Sequence, residues 1–302
     1  MATTTPFARL SADHVDQVRA AASAAASADD VEPLSEAFVL ALPREGDHLL
    51  ALDGDIVVGY ASTAEDGSLE AFVTPDHRSR GVGADLLRSA LQRRPDARPW
   101  AHGDLPASRA LGERLGLHVV RELLVLSRAV QPGDEQDPTL PDGIRHRAFR
   151  PGEDEGRLLA VNAAAFVHHP EQGDLDAAGL AERMAQPWFD PEGVILLEGA
   201  ADDRPLVGFH WTKIDPPGGH IGEVYVVGVH PDFHGRGLAA PLTGLGLAHL
   251  ARQGVSEVEL YVEADNTPAL ATYRRAGFER KASHVMYARG ASSPEVHDTV
   301  QG

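Results

Sequence analysis

Residues Gly222 to Leu242 read GEVYVVGVHPDFHGRGLAAPL, and the rest of the chain is read from them. Val224, Val226, Val227 and Val229 are β-branched and suit a pleated, half-buried strand. Gly228 breaks the run, which predicts a bulge or a close backbone approach. Pro231 and Asp232 end the strand, and His234-Gly235-Arg236-Gly237-Leu238-Ala239 leads into an apolar helix. Glycines let main-chain N–H groups converge on one small volume. The helix N-terminus adds unpaired donors and a partial positive charge. Arg236 adds a full charge, so the loop suits an anion such as a pyrophosphate. The plain alternative is a glycine-rich turn between a strand and a helix.

A second copy upstream weighs against that alternative. Leu69 to Val73 reads as a strand ended by Pro75 and Asp76. Arg78-Ser79-Arg80-Gly81-Val82-Gly83 follows, and then a helix from Ala84 to Gln92. Leu111 to Leu117 resembles the later helix end at Thr272 to Phe278. Before the first loop, an Ala-rich helix spans about 12–28, and strands at Leu49 to Ala51 and Ile56 to Ala61 flank an Asp53-Gly54 turn. Val119 to Leu126 reads as a strand. Gln131 to Gly143 has three prolines, four acids and little to bury, which reads as a linker. After it the pattern restarts: a helix at Asp154 to Phe166, strands at Val194 to Glu198 and Leu206 to Trp211, an Asp202-Asp203 turn, then the quoted stretch. An internal repeat of mixed strands and helices predicts an α/β fold (an α+β mixed sheet) used twice. The expected domains are 1–130 and 144–290, with the linker at 131–143 and a loose tail at 291–302.

Composition narrows the function. At 302 residues with 43% hydrophobic content, two packed domains are natural. The absence of cysteine excludes disulfides, thiolate zinc sites and a cysteine nucleophile. His168 and His169 have no third ligand placed near them, so no metal is expected. A net charge of −18 argues against nucleic acid and anionic membranes. No signal segment or bilayer-length apolar run is visible, so a cytoplasmic protein is expected, and a monomer. An anionic ligand on so acidic a chain needs locally basic loops, which Arg78, Arg80 and Arg236 supply.

The paired loops resemble the acyl-CoA-binding motif of the GNAT acetyltransferases, Q/R-x-x-G-x-G/A. Arg78, Gly81 and Gly83 match it fully; His234, Gly237 and Ala239 match it with His for the first residue. Tyr261-Val262-Glu263-Ala264-Asp265-Asn266 and Tyr273-Arg274-Arg275-Ala276-Gly277-Phe278 are similar to the second GNAT signature. Within the superfamily the chain is similar to the mycothiol synthase family of tandem GNAT enzymes, from about Glu36 to Tyr287. That resemblance implies acetyl-CoA as co-substrate and no metal. It places acetyl-CoA contacts at Val227, Gly228, Val229, His234, Gly235, Arg236, Gly237, Leu238, Ala239 and Ala240. Asn266, Thr267, Pro268, Ala269, Leu270 and Ala271 continue that site. In the first half the corresponding residues are Ala71, Phe72, Val73, Arg78, Ser79, Arg80, Gly81, Val82, Gly83 and Ala84.

It also implies a small-molecule acceptor, a cysteinyl-glucosaminyl-inositol, lined by Glu36, Glu171, Lys213, Glu223 and Tyr261. Acetyl transfer to an amine needs a base, a donor for the oxyanion and an acid for the thiolate. The resemblance gives the base to Glu223 and the acid to Tyr273. The residues alone also allow an exposed strand-end carboxylate and a core tyrosine. The oxyanion donor is expected among the main-chain N–H groups near Val227 to Val229. Aligning the repeats sets Glu223 against Gly67, Asn266 against Leu105 and Tyr273 against Gly112, so the first half is expected to be catalytically degenerate. Other readings are a tandem GNAT acting on another amine or a protein N-terminus, and a non-catalytic acyl-CoA sensor.

Overall fold

A computed structural model describes residues 2–167, 170–199 and 204–290, except for the side chains of 170 and 171. The Asp202-Asp203 turn, His168, His169 and the tail 291–302 lie outside the described residues.

The chain forms two compact units: Met1–Leu123 together with the segment from Ala282 on, and Leu124–Lys281. The first contains β1 (Thr3–Arg9), α1 (Ala12–Asp29), α2 (Glu36–Ala41), β2 (Glu45–Asp53), β3 (Ile56–Thr63), β4 (Ser68–Val73), α3 (Val82–Arg93), β5 (Arg98–Ala101), α4 (Pro106–Arg114) and the start of β6 (Leu117–Ala129). The second takes the rest of β6, then β7 (Ile144–Ala148), α5 (Glu155–Ala165), α6 (Pro170–Gly173), α7 (Ala177–Met184), β8 (Val194–Gly199) and β9 (Leu206–Lys213). It continues with β10 (Ile221–Val229), α8 (Ala239–Arg252), β11 (Glu257–Glu263) and α9 (Thr267–Arg275). The last strand, β12 (Glu279–Arg289), begins in the second unit and lies mostly in the first.

This partition differs from boundaries at 130 and 144. Leu124 and Leu126 pack with Val224, Leu247 and Leu250 in a core of the second unit. Val285 and Tyr287 pack with Leu69, Leu86 and Leu117 in a core of the first. Burial therefore assigns each strand end to the half on the far side of the linker. Pairing agrees for β12, where Val285 and Met286 lie antiparallel to Ala101 and Trp100 of β5.

Each unit builds the same device. In the first, β4 runs parallel to β5 only at Ser68↔Arg98 and Leu69↔Pro99. In the second, β10 runs parallel to β11 only from Ile221↔Glu257 to Val224↔Leu260. Beyond those rungs the parallel pairs part, while β10 stays antiparallel to β9 as far as Val229↔Gly208. The bulge anticipated at Gly228 sits instead at Tyr225, where the β9–β10 register slips between Val224 and Val226. Gly228 answers to the other expectation: a Cβ there would lie 3.1 Å from Ala165 and 3.2 Å from Phe166.

The bulge decides which residues face which layer. Gly222 and Val224 face α8, with Leu250 against both. After the slip, Val227 and Val229 face α8 beside Leu238 and Leu242. Tyr225 and Val226 both turn to the opposite layer, among Leu158, Trp188 and Trp211. Two consecutive residues share a face, as a bulge requires.

α8 lies on β9 through a tight contact. His210 is fully buried, and its Nδ1 donates to the Leu242 carbonyl at 3.0 Å. Burial holds this imidazole neutral, with a pKa lowered to about 4. A Cβ on Gly246 would fall 1.9 Å from the ring, so only glycine fits. Gly246→Ala is expected to destabilise the protein by about 1–3 kcal/mol, the usual cost of overpacking a core. Thermal unfolding measures it, and an unchanged midpoint would refute the packing argument.

Candidate active site

The site is built where β10 leaves β11. The His230 amide donates to the Val207 carbonyl on β9, at 2.9 Å. Strand alternation then points the N–H groups of Val227 and Val229 away from β9, towards the gap. A 3-10 turn at Pro231–Phe233 ends the strand. Gly235 and Gly237 take φ of +75° and +72°, a left-handed form that keeps the loop's N–H groups on its concave side. The His234 ring reaches back to the Val229 carbonyl at 3.0 Å, so Nε2 is the donor. In the first unit Arg78 Nε makes the matching bond to the Val73 carbonyl at 3.1 Å. His234 thus takes over the loop-closing role of the motif's usual residue. Arg236 lies 4.6 Å over the Phe233 ring and donates to the Asp232 carbonyl at 3.2 Å.

α9 closes the other side. Asn266 caps it by accepting from the Ala269 amide at 3.2 Å, with Pro268 in the first turn and Gly277 at φ +85° just past the end. Ala269, Thr272 and Tyr273 share a helix face. With Val227, Gly228, Val229, His234, Gly235, Gly237, Leu238 and Ala239 they enclose a cavity of about 310 Å³. Phe233, Thr243 and Thr272 also line it and were not anticipated; the spacing from Ala269 and Tyr273 could have pointed to Thr272. Arg236, Ala240, Thr267, Pro268 and Ala271 belong to the same loop and helices without lining the cavity. Leu270, expected as a contact, packs instead with Leu260, Val262 and Phe278 in the core. It lies on the inward side of α9.

Tyr273 is a packed residue that also borders the cavity. Its ring packs edge-on against Phe278 at 5.9 Å, yet it borders the cavity. Burial raises its pKa to about 12, so the hydroxyl keeps its proton.

Glu223 lies on the opposite face of β10, two residues before the bulge. It is in register with Lys213 of β9 and with Glu259 of β11. The Lys213 ammonium sits 4.8 Å over the Trp188 ring, 5.2 Å over Tyr225 and 3.7 Å from Asp215. Arg183 of α7 donates from Nε to the Tyr225 hydroxyl at 2.9 Å, fixing that ring from behind. Tyr261 is exposed, two residues beyond Glu259 on the same face. Lys213, Glu223 and Tyr261 are therefore brought onto one face. Glu36 opens α2 in the first unit, and the side chain of Glu171 lies outside the described residues. Among the described residues, no group of three or more His, Asp or Glu is placed to hold a metal.

In the first unit the loop keeps its backbone form, with Ser79 at φ +60° and Gly81 at +88°. Ala71, Phe72 and Val73 end β4, while Val82, Gly83 and Ala84 open α3 and Arg80 lies between. Arg78 makes a two-point pair with Asp29 at 2.6 and 2.7 Å, so its guanidinium already serves α1. Gly112, which the repeat alignment sets against Tyr273, has the Tyr287 ring 2.9 Å from where a Cβ would be.

The model of the Acetyltransferase (GNAT) family matches residues 160–278. A mycothiol acetyltransferase of Rhodococcus jostii is 45% identical over 294 residues, covering 93% of this chain and 96% of that protein. One of Catenulispora acidiphila is 46% identical, covering 90% and 94%. The chain belongs to the mycothiol acetyltransferase family. Among solved structures, a GCN5-related N-acetyltransferase from Sphaerobacter thermophilus matches with a TM-score of 0.67 at 26% identity, covering 94% of each chain. A tandem GNAT protein from the clavulanic acid biosynthesis pathway matches with a TM-score of 0.73, covering 97% of this chain and 100% of that one. At 18% identity it speaks for the tandem fold alone.

Proposed function

We propose that the second unit transfers an acetyl group from acetyl-CoA to the cysteinyl amine of a cysteinyl-glucosaminyl-inositol, releasing CoA and the acetylated thiol, mycothiol. The observation that carries this is one set of residues in one unit: the glycine cradle, the parted strands with two inward N–H groups, Glu223 and Tyr273. The identity to the named relatives over most of the chain supports the acceptor.

The cradle fits the co-substrate, since a Cβ on Gly235 or Gly237 would meet nothing within 4 Å and the loop stays open on that side. Residues 234–240 would hold the pyrophosphate through main-chain N–H groups, with Arg236 adding charge. Acetyl-CoA supplies the activated thioester. Glu223 takes the proton of the acceptor's ammonium, directly or through water. The Val227 and Val229 amides are the donors for the oxyanion. Tyr273, kept protonated by burial, returns a proton to the thiolate. Glu36, Glu171, Lys213 and Tyr261 are proposed as acceptor contacts. The first unit, where the repeat alignment sets Gly67 and Gly112 against Glu223 and Tyr273, is a non-catalytic copy whose loop residues 78–84 keep the form of an acyl-CoA cradle. The tail and the linker carry no chemistry in this reading, and the protein acts in the cytoplasm as a monomer.

The test is an acetyl-CoA assay with purified protein and a panel of amines. Turnover with the cysteinyl pseudodisaccharide should exceed that with free cysteine, aminoglycosides and peptide N-termini by at least about tenfold, the value of one well-placed polar contact. Equal rates across the panel would remove the acceptor assignment. Acetyl-CoA binding with no transfer would favour the sensor.

A further inference from the structure

Glu259 is absent from every expectation above, yet the strand register sets it beside the candidate base. Lys213, Glu223 and Glu259 are register partners on β9, β10 and β11, one rung before the parallel pair parts. Val258, Leu260 and Val262 all pack into the α8–α9 core, so Glu259 and Tyr261 turn to the other face. That face carries Glu223, Lys213 and Tyr261. Two carboxylates on neighbouring parallel strands lie about 5 Å apart at the backbone. Such a like-charged pair is unfavourable unless a cation offsets it. Lys281 provides one by pairing with Oε1 of both Glu259 and Glu257. A carboxylate has two acceptor oxygens, so Lys281 leaves Glu259 capacity for a second cation. The Glu259 side chain is 16% exposed, enough to meet a small ligand and buried enough to strengthen the contact.

We infer that Glu259 is a specificity-determining residue for the acceptor: a second carboxylate, tethered by Lys281, that meets the incoming ammonium beside Glu223. This rests on reading the second unit as an acetyltransferase of a cationic amine. The row itself then holds two carboxylates and one ammonium, with Lys281 of β12 reaching Glu259 and Glu257 from outside it. The acceptor ammonium meets the two acids on this face, where Lys213 also lies, over the Trp188 and Tyr225 rings.

The experiment uses the full chain with the cysteinyl pseudodisaccharide and compares Glu259→Gln, Glu259→Asp and Lys281→Met. Glu259→Gln should raise the acceptor KM about tenfold, with the acetyl-CoA KM within about twofold. Glu259→Asp, which keeps the charge, should recover most of that loss. Lys281→Met breaks the same ion pair but leaves Glu259 charged, so its acceptor KM should not rise. A purely structural ion pair predicts equal effects in Glu259→Gln and Lys281→Met, and that result would overturn the assignment. An unchanged acceptor KM in Glu259→Gln, or no recovery in Glu259→Asp, would overturn it too. Wild-type protein that acetylates no amine would instead remove the reading beneath it.

Discussion

Tyr273→Phe is expected to slow acetyl transfer by about 10²–10⁴-fold at saturating substrates, the usual contribution of a general acid. The ring contact with Phe278 survives this change, so the thermal midpoint should stay close to that of the parent protein. A purely packing role predicts near-normal turnover instead. Glu223→Gln should lower the rate over a similar range and flatten the acidic limb of the pH profile, because that limb reports the base. The acceptor's α-amino group titrates near ~8, so part of it is already neutral at physiological pH. To that extent the Glu223→Gln loss moves from kcat into the acceptor KM. Parent kcat in both variants would leave positioning in the cradle as the source of catalysis.

The second large effect concerns stability and lies far from the chemistry. Asp154 is buried at the start of α5. It accepts from Arg147 at 2.6 and 2.8 Å and from the Arg150 amide at 2.9 Å. Glu198 accepts from Arg147 at 2.9 and 3.1 Å and from Arg157 at 3.1 Å. Removing one partner strands the others, so Asp154→Ala should cost about 3 kcal/mol, the lower end for a buried pair because Glu198 still holds Arg147. Denaturant unfolding measures this, and a loss below about 1 kcal/mol would contradict it.

The same network sets an acid limit. The hydrogen bonds from Arg147 hold the Asp154 carboxyl below its ordinary pKa. Burial pushes Glu198 up, but the bonds from Arg147 and Arg157 reverse that and leave it lowered. A lowered folded pKa contributes stability above the unfolded value, near ~4, that is lost as pH falls through the folded one. The protein should therefore weaken below about pH 4, and Asp154→Asn should weaken less over that window.

The loops were legible because they are local. A glycine needed at positive φ announces itself, and Gly81, Gly235 and Gly237 take that form. The cap at Asn266 and the stop at Gly277 were readable for the same reason. The strands of the inner sheet were found by their apolar runs, since β8 and β9 are buried on both faces. β1, β5 and β7 were missed: short or polar segments such as Arg98–Ala101 become strands only through their neighbours. The bulge went to Gly228 in the sequence because glycine is the visible irregularity. Tyr225 bulges because the structure needs two successive side chains in one aromatic layer. Glu259 has no signal in the sequence, and only its register with Glu223 singles it out.

The first unit's sheet takes in β12, whose Val285 and Met286 pair with β5. A nascent chain that has just left the ribosome as far as the linker holds the first unit without its final strand. That unit can be completed only after the whole second unit has been synthesised. Two successive domains would fold in order of appearance. Here the half that starts first must finish last, and a fragment cut at the linker would lack a strand rather than stand as a working half.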